Sequence, residues 1–126
     1  MPEFATEARL VDGLSSETPL SITTVRMSDW TIVVDVAGEI DLATSPQVAA
    51  ALQESVACPI PPREIRVCLT RVTFIDARGI SALVVGCQAA RRAGVGFSVH
   101  NPQGIVRRVL DIVGLTDNLH VWADPL

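Results

Sequence analysis

The side chains of this 126-residue chain whose types and spacing could support chemistry are few. They are the carboxylates Glu39, Asp41 and Asp76, the imidazoles of His100 and His120, and the thiols of Cys58, Cys68 and Cys87. Two carboxylates converging on one site would make a general acid–base pair. Here Glu39 and Asp41 directly follow an apolar run, and Asp76 directly precedes a helical pattern, so structural use accounts for all three. Neither histidine has a serine or cysteine partner at a recognisable nucleophile elbow. The cysteines fit no C-x-x-C or Cys/His zinc spacing, and reduced, mostly buried thiols are the expectation. No glycine-rich phosphate loop or dinucleotide fingerprint is present. The reading assigns no catalytic residue, no metal ligand and no cofactor.

The elements that would position these residues are legible from periodicity. The stretch Val72-Thr73-Phe74-Ile75-Asp76-Ala77-Arg78-Gly79-Ile80 reads as the end of a buried strand, a turn and a helix start. Asp76 is placed to cap that helix, because its carboxylate can accept from first-turn N–H groups that lack intrahelical partners. Ile80, Leu83, Val84 and Cys87 then recur at helical spacing as one apolar face. Arg91 and Arg92 fall in the last turn, where positive charge suits the helix dipole, and Gly94 follows as a left-handed cap. Upstream, Ile22 to Arg26 and Thr31 to Val36 read as two strands joined at Ser28-Asp29. Ser45-Pro46 reads as an N-cap followed by proline, opening a helix to about Ala57 with Val48, Leu52 and Val56 inward. Cys58 to Pro62 form a stiff connection. Glu64 to Leu69 and Val95 to Val99 are further strands. Asn101-Pro102 repeats the cap-plus-proline signal ahead of Val106, Val109, Leu110 and Val113, with Gly114 closing, and Leu119 to Trp122 form a short last strand.

Ile65/Val67/Leu69 and Val95/Phe97/Val99 alternate with more polar residues. Parallel strands covered on both faces read instead as continuous apolar runs. The alternation therefore points to an α/β fold with helices mainly on one face of the sheet and the other face largely open. Residues 1–18 are polar and aperiodic and read as a disordered tail, leaving 19–126 as one domain.

Charge and hydropathy exclude whole classes of function. A net charge of −4 opposes non-specific nucleic-acid binding, which needs a basic surface. The Arg91-Arg92 and Arg107-Arg108 pairs read as solvated charge late in helices. No apolar run reaches the about 20 residues of a membrane span, and no secretory signal opens the chain. A cytoplasmic protein without membrane insertion is expected.

Gly38-Glu39-Ile40-Asp41-Leu42-Ala43-Thr44 and Phe74-Ile75-Asp76-Ala77-Arg78-Gly79-Ile80 resemble the two hallmark motifs of the STAS domain. The closest likeness is to the bacterial anti-sigma factor antagonists. It extends over about residues 20 to 122 and includes the Asn-Pro segment and Val113-Gly114-Leu115. The resemblance implies a STAS-like β-α superhelix with a mixed, mostly parallel sheet of 4–5 strands. It also implies a protein-binding switch rather than an enzyme. Such proteins bind an anti-sigma factor, usually a small Ser/Thr kinase, and so release the sigma factor it holds and regulate transcription. The implied contact residues are Asp41 and Thr44 at the border, Asp76 orienting the turn, and Ala77, Arg78 and Gly79 as a close-approach surface.

The family's phosphorylated Ser or Thr falls on Ala77, which has no hydroxyl, so phosphoryl transfer there is chemically impossible. A phosphate would bring about −1.5 to −2 charges to the helix start. Ala77 instead fixes the neutral state, which the resemblance implies is the binding-competent one, and Arg78 adds a permanent positive charge. A further helix common in the family after the last strand has no counterpart before Leu126. Trp122 is then expected to border open apolar surface, usable by a partner or in a homodimer. Two other readings stand beside the first: an accessory STAS subunit of a lipid-exporting ABC transporter, and a scaffold domain of a stress-sensing complex.

Overall fold

A computed structural model of the chain describes residues 20–123, so the tail assigned to 1–18 lies outside the described residues. Five strands and three helices follow one another as β1 (Ser21–Arg26), β2 (Thr31–Ile40), α1 (Ser45–Val56), β3 (Glu64–Ile75), α2 (Ala77–Arg92), β4 (Gly96–His100), α3 (Gly104–Ile112) and β5 (Val121–Trp122). The strands lie in one sheet in chain order, β1-β2-β3-β4-β5. β1 pairs antiparallel with β2 through a tight turn, and every later neighbour is parallel. Parallel neighbours require a crossover, and α1, α2 and α3 supply one each. Every crossover advances one place in the same direction, so the right-handed rule sets the helices on one side of the sheet. The expected architecture, mixed and mostly parallel with helices mainly on one face, is the one observed.

The strand alternation sorts side chains between the two faces as expected. Ile65, Val67 and Leu69 of β3 are fully buried, while Arg66 and Cys68 between them are partly exposed. Ile32, Val34 and Val36 of β2 join them in the core, met from the helix side by Val48, Leu52, Leu83, Val106 and Leu110. The opposite face carries polar pairing instead. Arg71 bridges β3 to Asp35 of β2 at 3.2 Å, and the Ser98 hydroxyl donates to a Glu64 carboxylate oxygen at 2.8 Å. His100 stacks on Trp122 with ring centroids 6.2 Å apart, and Trp122 stays 58% exposed.

Several boundaries fall elsewhere than the sequence suggests, each for a local reason. β2 runs four residues past Val36 to Ile40, because its parallel pairing with β3 continues through two register shifts, at Asp35/Ala37 and Gly38/Glu39. Each shift leaves an extra residue on β3, breaking its inside–outside alternation. Thr73 and Phe74 are consequently both exposed, and the stretch before Asp76 is only half buried. α1 is capped at Thr44 rather than Ser45. α3 begins at Gly104 after Gln103, not at Asn101-Pro102. Asn101 adopts a left-handed φ of 57° and donates its N–H to the Trp122 carbonyl at 2.7 Å, which ties it to β5 and delays the helix.

Helix phases also shift. In α2 the buried stripe is Gly79, Ala82, Leu83, Gly86, Cys87 and Ala90, leaving Ile80 and Val84 at its margin. In α1 the last inward residue is Ser55, whose hydroxyl donates to the Ala51 carbonyl at 2.9 Å, while Val56 is only partly buried. Val113, expected inward, is 48% exposed. The Gly94 cap holds, with φ at +74° and its N–H donating to the Arg91 carbonyl.

Candidate functional site

The two motif segments meet at one end of the sheet. Because β2 continues to Ile40 beside Ile75 of β3, the turns that follow both strands leave from adjacent positions. The Asp76 N–H donates to the Ile40 carbonyl at 3.1 Å, which fastens the second turn to the first.

The first turn is held by Asp41 and Thr44. The Asp41 carboxylate accepts from the N–H groups of Ala43 and Thr44 at 3.0 and 3.1 Å. The Thr44 hydroxyl donates back to the Glu39 carbonyl at 2.7 Å and accepts from the Asp41 N–H at 2.9 Å. That hydroxyl is therefore turned toward the strand and does not cap α1, although Thr44 occupies the cap position. Proline in the first turn of α1 has no N–H to leave unsatisfied, so the helix starts without side-chain help. The short polar side chain thus bonds backbone groups that would otherwise be orphaned in a buried turn, where Thr44 is 7% exposed.

The second turn is the helix cap read from the sequence. Asp76 has an extended backbone, and its carboxylate accepts from Arg78 and Gly79 N–H groups at 2.9 and 3.1 Å. Ala77 and Arg78 are exposed beside it, whereas Gly79 is buried. A Cβ on Gly79 would lie 2.6 Å from Ile75 Cγ1 and 2.7 Å from the Ile40 carbonyl oxygen. The close approach that glycine permits here is to the chain's own β2 and β3.

One oxygen of each carboxylate, Oδ1, is committed to backbone donors. Among the described residues, no group of three or more His, Cys, Asp or Glu could hold a metal ion. Among them, too, no helix is long and apolar enough to cross a membrane.

Around the two turns lie apolar side chains that the sequence reading passed over. Leu42 is 62% exposed in the first turn, Phe74 41% before the second, and Val85 44% two turns into α2. Leu42 carried a signal: an apolar residue inside a tight Asp–Thr turn has no room to fold inward. Phe74 and Val85 carried none, because their exposure depends on the β3 register shifts and the phase of α2. A cleft of about 230 Å³ opens between Pro46 and Ala49 of α1 and Arg78, Ser81 and Val85 of α2. The Arg78 guanidinium has no ion pair or hydrogen bond among the described residues.

The thiols sit apart from this end. Cys87 is buried against the core with its pKa pushed up by desolvation, an effect that the nearby Arg91 charge partly offsets. Cys68 faces the opposite side of the sheet and contacts Thr70. Cys58 is half-buried, and the sequence offered it no basic neighbour closer than Arg63. The fold brings one from 32 residues away, with Arg26 donating to its sulfur at 3.3 Å.

Known proteins share this sequence pattern and fold. The curated anti-sigma-B factor antagonist of Bacillus subtilis (strain 168) is 27% identical over 99 residues, spanning 79% of this chain and 88% of that protein. The crystal structure of an anti-sigma factor antagonist from Mycobacterium paratuberculosis superposes with a TM-score of 0.70 at 26% identity, covering 86% of this chain and 90% of that one. The anti-sigma factor antagonist SpoIIAA in its unphosphorylated form shares the fold at 18% identity and a TM-score of 0.71, covering 82% and 88%. The family profile described as STAS domain matches residues 22–125, which among the described elements takes in all three helices, both fastened turns and the whole sheet but the first residue of β1. The chain belongs to the STAS domain family.

Proposed function

We propose that this protein is a cytoplasmic anti-sigma factor antagonist that binds an anti-sigma factor and releases its sigma factor, without catalytic activity of its own. The observation that carries the reading is the fastening of the two motif turns side by side through the Asp76 N–H and the Ile40 carbonyl. It gives the chain a single contact surface at one end of the sheet. The relatives described above as anti-sigma factor antagonists supply the kind of partner. On this surface Ala77 and Arg78 are the exposed groups that a partner touches. Asp41, Thr44, Asp76 and Gly79 hold the backbone beneath them in shape. With a methyl group at Ala77, the start of α2 cannot accept a phosphate, so binding is not switched off at that position.

Capture from native extract followed by reconstitution tests the reading. The expected catch is a small kinase-like anti-sigma factor. Adding the purified chain to its preformed complex with a sigma factor should liberate the sigma factor in size-exclusion chromatography. After incubation with that kinase and ATP, peptides covering residues 76 to 79 should remain unmodified by mass spectrometry. Capture of an ABC ATPase instead, with no sigma factor release, would replace the reading by the transporter-subunit alternative.

A further inference from the structure

We infer that the cleft between the first halves of α1 and α2 is an anchor site for a partner segment of one chemistry: an apolar side chain with a carboxylate within one helical turn of it. The inference rests on the reading of this end of the molecule as a protein-contact surface, and it names what that surface selects.

Size comes first. At about 230 Å³ the cleft is smaller than the about 300–1,000 Å³ of sites that enclose small molecules, and it suits one or two side chains. Its walls explain why it is open. Ala49, Ser81 and Ala82 are too small to fill the space between the helices, and Pro46 cannot reach across it. Further along, the same two helices close completely, where a Cβ on Gly86 would fall 2.5 Å from Leu52 Cδ1. The gap is thus confined to the end that carries the motif turns. Val85 forms part of the wall and leaves 44% of its surface in water, an apolar lining that excludes a purely polar occupant.

Charge sets the rest of the chemistry. Arg78 stands at the mouth of the cleft in the first turn of α2. That position faces the positive end of the helix dipole, which disfavours a cation. The Asp76 carboxylate caps the backbone N–H groups of that turn, including that of Arg78, while the guanidinium itself has no ion pair or hydrogen bond among the described residues. Arg91, in the last turn of the same helix, shows the contrast: the dipole favours it there, and it donates to the Asn118 carbonyl at 3.1 Å. An external carboxylate at Arg78 would gain the guanidinium itself, since Asp76 already takes the N–H groups of the helix start. Ser81, three residues on and so on the same helix face, offers a hydroxyl donor beside it. The chain as a whole is acidic, with a net charge of −4, so the attraction is local to this mouth.

A peptide-display selection on the purified chain tests this without any sigma or anti-sigma factor, so its failure is separable from failure of the functional reading. Selected peptides should be enriched in Asp or Glu within four residues of Leu, Ile, Met or Phe. The best of them, synthesised and titrated into isotope-labelled protein, should shift amide resonances of residues 45–49 and 78–85. Arg78→Glu should weaken its binding at least tenfold, more at low salt than at high salt, and exposed Val85→Asp should do likewise with both variants melting cooperatively. Arg78→Lys should retain most of the affinity. A selection yielding no binders, binders without acidic enrichment, resonance shifts centred elsewhere, or unchanged affinity in the folded variants overturns the proposal.

Discussion

Asp76 concentrates several demands in one carboxylate, because it satisfies two backbone donors of α2 while its own N–H holds the end of β2. Replacing an N-cap Asp by Ala typically costs about 0.5–2 kcal/mol. We expect Asp76→Ala to fall in the upper half of that range in urea denaturation, with Asp76→Ser losing distinctly less because a hydroxyl can still accept. A loss below about 0.3 kcal/mol would mean that the cap is redundant. Among the thiols, burial holds Cys87 protonated beyond the ordinary thiol range. The sign of its effect on stability follows. Below that range folded and unfolded chains both keep the proton, and the residue contributes no pH dependence. As pH rises through it, the unfolded thiol ionises first, so stability falls. Cys87 should also be the last of the three cysteines to react with iodoacetamide in the folded protein, which peptide mapping after a timed quench would read directly.

Within α2, glycine and alanine occupy the buried stripe where the sequence suggested Ile80 and Val84. Small residues let the helix lie close to β2, β3 and α1, and two of them make different contacts. At Gly79 an added methyl meets the Ile40 carbonyl oxygen, which belongs to the parallel ladder and cannot retreat. At Gly86 the nearest atom is the end of the Leu52 side chain, which has a rotatable bond although it is fully buried. Overpacking of this kind costs about 1–3 kcal/mol, less whatever helix propensity alanine restores. Gly79→Ala should therefore be the more destabilising of the two in thermal unfolding. The reverse order would show that α2 shifts over the sheet more easily than the Leu52 side chain repacks. Register shifts in β3 act at the same scale, turning both Thr73 and Phe74 outward ahead of the second turn.

Taken whole, the molecule separates its features by sheet face and sheet end. Cys87 packs among the helices and Cys68 looks out from the other side of the sheet, so their Cβ vectors diverge and no bridge can form between them. Intact mass after mild oxidation should show no two-dalton loss in the monomer; a loss with one thiol remaining would contradict the assignment of strand faces. The proposed contact surface occupies one end, where the exposed Arg78 guanidinium has no ion pair among the described residues. Surface substitutions away from contacts usually change free energies by less than about 0.5 kcal/mol. Arg78→Ser should alter affinity for the cognate anti-sigma factor by more than about 1 kcal/mol, with the difference shrinking as salt is raised. An unchanged dissociation constant at both salt concentrations would reduce Arg78 to solvated charge.

The order of elements, the one-sided placement of helices and the Asp76 cap were all legible in the sequence. Each follows from short-range rules: the two-residue period of a half-buried strand, the 3.6-residue period of a helix, and the reach of a carboxylate across one turn. Local signals misled where a distant partner competed for the same group. Thr44 displaced Ser45 as the cap residue, and its hydroxyl serves Glu39 and Asp41. Asn101 does not cap the helix because its backbone turns left-handed, with its N–H bonded to the carbonyl of Trp122, 21 positions on. The Arg26–Cys58 contact, the buried setting of Gly79 and the cleft between α1 and α2 had no trace in the sequence. They arise from how far strands slide past one another and how closely helices settle on them, quantities fixed by packing of the whole core and not by any window of neighbouring residues.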